Sequence, residues 1–240
     1  MTYILDITRQ QSTDSQPYVQ SIPFETDDPA ATVAFAMRQI NASPDCKDIN
    51  GETVTPISWE CGCLQRKCGA CAMVISGRPM LACDAVLSRV ARGGRVSIAP
   101  LKKFPLVKDL TVDRSAMMEA LKSAEVWLKA HASAEERNEG FVFDASRCLQ
   151  CGCCLEVCPN FYAGGEFSGT AAALPMARLM AALPERDREL EKSYLRHFYN
   201  GCGKSLACRN ICPAGIDVDS LLVNSNAAAV WKRRFGGRGR

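Results

Sequence analysis

Apolar positions alternate with polar ones through residues 2–10 (TYILDITRQ) and 17–24 (PYVQSIPF), and the polar stretch QSTDSQ separates the two runs. That period of two, bounded by turn residues, predicts a pair of strands joined as a hairpin. The period then changes. Asp28-Pro29 is predicted to start a helix, with Asp as cap and Pro at the first helical position, and Val33, Met37 and Ile40 form one apolar stripe through VAFAMRQI. The stripe reads as ordinary core. Further on, AMVI, the turn SGRP and MLAC predict a second hairpin, and VSIAPL from Val96 a closing strand.

The stretch KKFPLVKDLTVD shows neither helical nor alternating regularity, so a domain boundary is placed near 105–110. Beyond it the period is helical. Met117, Leu121, Ala124 and Leu128 repeat at helix spacing through MMEALKSAEVWLKA, with Asp113 or Ser115 able to cap. Residues 132–144 are read as a connection, polar and then briefly apolar. A helix is predicted over 170–183, where Pro175 is tolerable only in the first turn. A charged, partly exposed helix is expected over 185–199. A fourth starts at Asp217 or Asp219 and is packed by Leu221, Leu222 and Val230.

Fourteen cysteines among 240 residues change this picture from a folding problem to a chemical one. In a secreted chain they would suggest disulfides, but MTYILDITRQ has no charged segment followed by an apolar one, so a reducing, cytoplasmic compartment is expected. No apolar stretch is long enough to span a membrane. A net charge of +3 is too mild to argue for nucleic acid, and no binding motif supports it. The tail WKRRFGGRGR carries five basic residues and no acid; it reads as solvated, or as attracted to anionic headgroups. His131 and His197 fall outside any ligand spacing, and nothing resembles a nucleophile-base pair or a nucleotide-binding glycine loop.

The cysteine spacings carry the chemistry. Cys63, Cys68 and Cys71 fall at C-x4-C-x2-C, with Cys83 after eleven intervening residues, which is the plant-type 2Fe-2S pattern. Such a loop must wrap its backbone round the cluster with N–H groups toward sulfur, and Gly62 and Gly69 ease that. Cys148, Cys151, Cys154 and Cys158 follow C-x2-C-x2-C-x3-C-P, the bacterial two-cluster spacing in which the fourth cysteine serves the other cluster. Cys202, Cys208 and Cys212 echo this run with Ser205 where a cysteine would stand. Crossing the fourth cysteines gives Cys148, Cys151, Cys154 and Cys212 to a 4Fe-4S cluster. Cys158, Cys202 and Cys208 remain, and three thiolates fit a 3Fe-4S cluster, with the Ser205 hydroxyl a poor fourth ligand. Zinc also uses C-x2-C pairs, but two interlocked C-P runs are not a zinc pattern. Cys46, Cys61 and Cys153 lie outside the spacings and are read as non-ligands, Cys153 as a packed neighbour of the cluster.

An N-terminal plant-type site followed by a four-cysteine and a three-cysteine site resembles the iron-sulfur subunit of the succinate dehydrogenase and fumarate reductase family. PLVKDLTVD at 105–113 is similar to that family's interdomain linker, and FSGTAAALPMARLMA to the segment before its last cysteine run. The resemblance implies an α+β chain: a β-grasp 2Fe-2S ferredoxin domain over 1–106, then an all-helical, bacterial ferredoxin-like domain over 107–240. It implies single-electron transfer between a FAD-containing flavoprotein subunit, which interconverts succinate and fumarate, and a quinone at a cytochrome b type membrane anchor that can carry haem. The 2Fe-2S end would face the flavoprotein and the 3Fe-4S end the quinone. The chain would then sit peripherally at the cytoplasmic face of the membrane. Ubiquinone-linked members place a His after the first Cys of the last run and a Trp past the first C-P step; here stand Gly203 and NFYA. The resemblance is therefore to menaquinone-linked members, with Pro159, Asn160 and Phe161 as candidates for lining the quinone site. The same module wired to another flavin dehydrogenase, or a free ferredoxin-like carrier, are the alternative readings.

Overall fold

A computed structural model describes residues 1–129, 131, 139–183 and 185–231. The chain divides into two compact units, Met1–Asp113 and Arg114–Arg240.

The first unit is built on a five-stranded sheet. Strands β1 (Thr2–Arg9) and β2 (Tyr18–Glu25) pair antiparallel with Leu5 opposite Ile22, so the alternation in both runs places the same faces together. Strands β3 (Ala72–Ile75) and β4 (Arg78–Leu81) form the second hairpin, turned by Ser76 and Gly77 at positive φ. The closing strand β5 (Arg95–Ala99) lies between the hairpins, parallel to β1 and antiparallel to β3, which gives the order β2-β1-β5-β3-β4. Helix α1 (Val33–Ala42) buries Val33, Met37 and Ile40, and the core also holds Leu5, Ile7, Ile22, Met73, Ile75, Leu81 and Ile98. A short helix α2 (Leu87–Val90) precedes β5.

Helix α1 begins later than Asp28-Pro29. The Asp28 carboxylate accepts Ala30 N–H at 2.8 Å in a turn, whereas Thr32 bridges Val86 and Val33 N–H donates to Ala85. This pairing needs extended backbone, so the helix starts only after Thr32, whose hydroxyl caps it at Phe35 N–H. The segment without periodicity is also ordered. β6 (Leu106–Lys108) and β7 (Thr111–Val112) form a small hairpin turned at Asp109, whose φ is 48°. Asp109 is buried against Arg9, each side chain 1% exposed, and its carboxylate also accepts Gln10 and Ser58 N–H.

The described elements of the second unit are helices. α3 (Ser115–Ser123) ends before the predicted stripe does, because Glu125 turns left-handed at φ 52°; Ala124 stays buried while Leu128 is 52% exposed. The connection read over 132–144 is in part helical: α4 (Glu139–Ser146) buries Ala145 and packs Phe141 against the core, while residues 132–138 lie outside the described range. After α5 (Cys153–Glu156) comes α6 (Gly169–Ala182), buried along most of its length. α7 (Arg188–His197) is capped by Asp187, and α8 (Val218–Ala229) by Asp217, which accepts Ser220 N–H at 3.2 Å. Tyr194, Phe198, Leu174, Met176, Leu221 and Leu222 form the core, with Val230 packed against it.

Pro175 lies in the second turn of α6 and not the first. It removes the N–H that would bond the Ala171 carbonyl, and Gln150 Nε2 donates to that carbonyl at 2.9 Å instead. Among the described residues no helix is long and apolar enough to cross a membrane, and the basic tail from 232 lies outside them.

Candidate metal centres

The first cysteine loop is wound by backbone conformations that side chains seldom adopt. Leu64, Arg66 and Gly69 have φ of 54°, 62° and 76°, and the turns they make aim peptide N–H groups inward. Gln65 and Lys67 N–H donate to Cys63 Sγ at 3.3 and 3.2 Å, and Cys63 N–H to Cys68 Sγ at 3.4 Å. The two donors from Gln65 and Lys67 pull the Cys63 thiol down to about 7. A Cβ at Gly62 would stand 3.2 Å from Cys68 Sγ, a tight contact that would push that sulfur by a few tenths of an ångström. Ala82 N–H donates to the Cys71 carbonyl at 2.9 Å, which sets Cys83 beside Cys71; burial pushes the Cys71 thiol up to about 12. Arg66 pairs with Asp84 at 3.1 Å and ties the loop to the chain after Cys83. Cys61 is exposed, and Cys46 is half-buried beside Asp48, its thiol raised by burial.

In the second unit Cys148, Cys151, Cys154 and Cys212 line one narrow cavity, together with Thr170, Ala171, Leu174 and Val218. Gln150 and Gly152, at φ 50° and 86°, bend the loop between the first two cysteines and into α5. Burial raises the thiols of Cys148 and Cys154. Cys151 goes the other way, down to about 7, because the Cys153 S–H and N–H are both directed at its sulfur. Cys153 is fully buried and does not line the cavity. Its thiol is raised by its bond to Cys151 and by burial.

Cys158, Cys202 and Cys208 do not line that cavity. Burial raises the Cys208 thiol, the Thr170 hydroxyl donates to its sulfur, and Cys158 and Cys202 are its neighbouring thiols. Ser205 is exposed, and its hydroxyl accepts Ala207 N–H at 3.5 Å. Pro159 and Asn160 are exposed, but Phe161 is only 4% so; the exposed ring beside it is Tyr162, at 65%. Asn160 Nδ2 donates to the Gly201 carbonyl at 2.6 Å, and a Cβ at Gly203 would meet that same amide at 2.9 Å. Gly203 thus has a steric reason of its own. The spacings had no means of finding Gln150, Thr170 or the Asn160 amide. For Gln150 and Thr170 the only trace in the sequence is a polar residue inside the C-x2-C loop and a threonine opening an apolar helix; Asn160 is named for the quinone site and not for this bond.

The residues fit iron-sulfur chemistry. All candidate donors are thiols, soft ligands that suit such clusters. Cys63 is met by two N–H groups, and four others share one cavity. Among the described residues no three His, Cys, Asp or Glu side chains converge as a site for a single metal ion.

Two family models match the chain: residues 4–119 a 2Fe-2S iron-sulfur cluster binding domain, and residues 144–216 a 4Fe-4S dicluster domain. The succinate dehydrogenase iron-sulfur subunit of Bacillus subtilis is 33% identical over 234 residues, covering 92% of this chain and 89% of that protein. The chain belongs to the succinate dehydrogenase and fumarate reductase iron-sulfur subunit family. Its likeness to the fumarate reductase iron-sulfur subunit of Wolinella succinogenes is 30% over 227 residues, covering 88% of this chain and 90% of that one. A chain of the Mycobacterium smegmatis Sdh1 complex in the apo form superposes with a TM-score of 0.77 at 19% identity, covering 97% of both chains, and so shares the fold. This member of the family is thus the iron-sulfur subunit of an oxidoreductase, with a sheet-bearing 2Fe-2S unit followed by a dicluster unit.

Proposed function

We propose that this subunit holds a 2Fe-2S cluster on Cys63, Cys68, Cys71 and Cys83, a 4Fe-4S cluster on Cys148, Cys151, Cys154 and Cys212, and a 3Fe-4S cluster on Cys158, Cys202 and Cys208. The observation that carries the reading is the partition of seven thiols: four line one cavity, and Cys158, Cys202 and Cys208 do not. Bound there, each cluster takes up and releases one electron at a potential tuned by its charge, its hydrogen bonds and its exposure.

The protein's own part is to set those conditions. Gln65 and Lys67 N–H compensate negative charge on Cys63, and the Cys153 S–H does so on Cys151. Burial round Cys154 keeps water from its sulfur. At the third site a missing thiolate removes one negative charge, which favours a higher potential and suits exchange with a quinone. The first unit is a β-grasp ferredoxin domain that meets a FAD-containing flavoprotein subunit, and the second is an all-helical domain that meets a cytochrome b type membrane anchor. The chain is thereby peripheral at the cytoplasmic face. Gly203 and the sequence after Pro159 favour menaquinone, with Pro159, Asn160 and Phe161 near its site.

Anaerobic copurification tests the proposal. A stable FAD subunit, and a 2Fe-2S signal that appears on adding succinate, would support it. A monomer with no flavoprotein, or a flavin partner indifferent to succinate and fumarate, would overturn it.

A further inference from the structure

Gln150 stands in the loop between Cys148 and Cys151 at φ 50°, a left-handed conformation uncommon for a residue with a Cβ. Its amide nitrogen makes two bonds: to the Ala171 carbonyl at 2.9 Å and to Cys148 Sγ at 3.3 Å. A carbonyl only accepts, so the carbonyl of Ala171 decides which end of the amide faces it. That end is the nitrogen, and its second proton is left for sulfur. The Ala171 carbonyl is available because Pro175, four residues along α6, has no N–H to give it. Ala171 is buried, and both bonds are partly shielded from solvent, which strengthens them over bonds in open water.

We propose that Gln150 is a positioning residue that raises the reduction potential of the cluster held by Cys148, Cys151, Cys154 and Cys212, an inference that rests on the ligand assignment above. Reduction adds negative charge to a group whose ligands are thiolates. A donor fixed on one of those sulfurs stabilises the reduced form more than the oxidised one, and hydrogen bonds to sulfur are a recognised determinant of such potentials. Unlike the peptide donors elsewhere in these loops, this one is a side chain, which substitution can remove while leaving the chain path unchanged. Pro175 and Gln150 then act as a pair: the proline opens an acceptor on the helix, and the acceptor aims the amide.

The test is a redox titration of the intact complex followed by low-temperature EPR, with iron content measured alongside. Gln150→Met keeps the length of the side chain and loses the donor; Gln150→Lys keeps a donor and adds positive charge. The expected result is a lower midpoint for one cluster in the Met variant and an unchanged or higher midpoint for that cluster in the Lys variant, with the other two clusters unmoved and iron content preserved. Shifts of the same sign in both variants, no shift in the Met variant, or loss of iron from both would overturn the inference, since each marks a residue that only holds the loop. Cys148→Ala separates the two levels: if that variant retains the same cluster signal, the ligand assignment has failed and not the tuning argument.

Discussion

Asp109→Ala would remove one half of an ion pair that has almost no contact with solvent. Arg9 and Asp109 side chains are each 1% exposed, and the guanidinium is held by both carboxylate oxygens, at 3.1 and 3.3 Å. Arg9 also donates to Gln20, Thr55 and the Pro56 carbonyl, while Asp109 accepts Gln10 and Ser58 N–H at 3.1 and 3.0 Å. Removing the carboxylate leaves a buried guanidinium without its counter-charge, which costs about 3–5 kcal/mol. Two peptide N–H groups lose their acceptor as well, which places the expected cost in the upper half of that range. Divided by a urea dependence of about 2 kcal/mol per molar, a loss of about 4 kcal/mol moves the unfolding midpoint of this unit down by about 2 M. The assay is urea denaturation of the whole protein, followed through the visible circular dichroism of the 2Fe-2S site, because Ser58 leads directly into the loop of Cys63. Asp109→Asn should cost less, since it keeps an acceptor and tolerates the left-handed φ of 48°. A midpoint for Asp109→Ala within about 0.5 M of wild type, or an Asn variant as weak as the Ala variant, would refute the claim that this carboxylate anchors the hairpin to the cluster loop.

Three further outcomes are expected. Ser205→Cys supplies the thiolate missing from the last run and raises the iron held by Cys158, Cys202 and Cys208 from three to four; an iron assay with no increase would break the crossed ligand scheme. Cys153→Ser keeps a hydroxyl donor toward Cys151 and should leave all three cluster spectra in place, whereas loss of any one would make Cys153 a ligand. Asp217→Ala removes the cap of α8 and should cost about 1 kcal/mol at neutral pH. The bonds from Ser220 hold the Asp217 carboxyl below its ordinary range, so its contribution is present above that range and is lost as pH falls through the lowered value. The gap between wild type and variant should therefore close in acid; a gap that widened there would exclude the cap as its source.

Local pattern carried some elements and missed others for identifiable reasons. β1 and β2 were legible because one face of each is buried, and α1 because Val33, Met37 and Ile40 face the same core. The start of α1 was not, since Thr32 is held extended by Val86, more than fifty residues away in sequence. The hairpin of β6 and β7 was hidden likewise, because its turn is fixed by Arg9 from the first strand. Helix α4 offers little over two turns of pattern, and tertiary packing of Phe141 and Ala145 supplies the rest. At the candidate sites the cysteine spacing is legible, because the proposed ligation to a shared group would constrain residue type and distance along the chain. Gln150 and Thr170 were not visible, and Asn160 was singled out only as a quinone-site candidate, because each acts on an atom from another segment: the Ala171 carbonyl, the Cys208 sulfur and the Gly201 carbonyl.

The assignment of three thiolates to one cluster and four to the next is the centre of the account, and low-temperature EPR of the anaerobically purified, fully oxidised protein tests it most directly. Oxidised 2Fe-2S and 4Fe-4S clusters have paired spins, but an oxidised 3Fe-4S cluster does not. The account predicts a paramagnetic signal from the oxidised protein, abolished in Ser205→Cys. A silent spectrum from protein whose iron content is complete would contradict it.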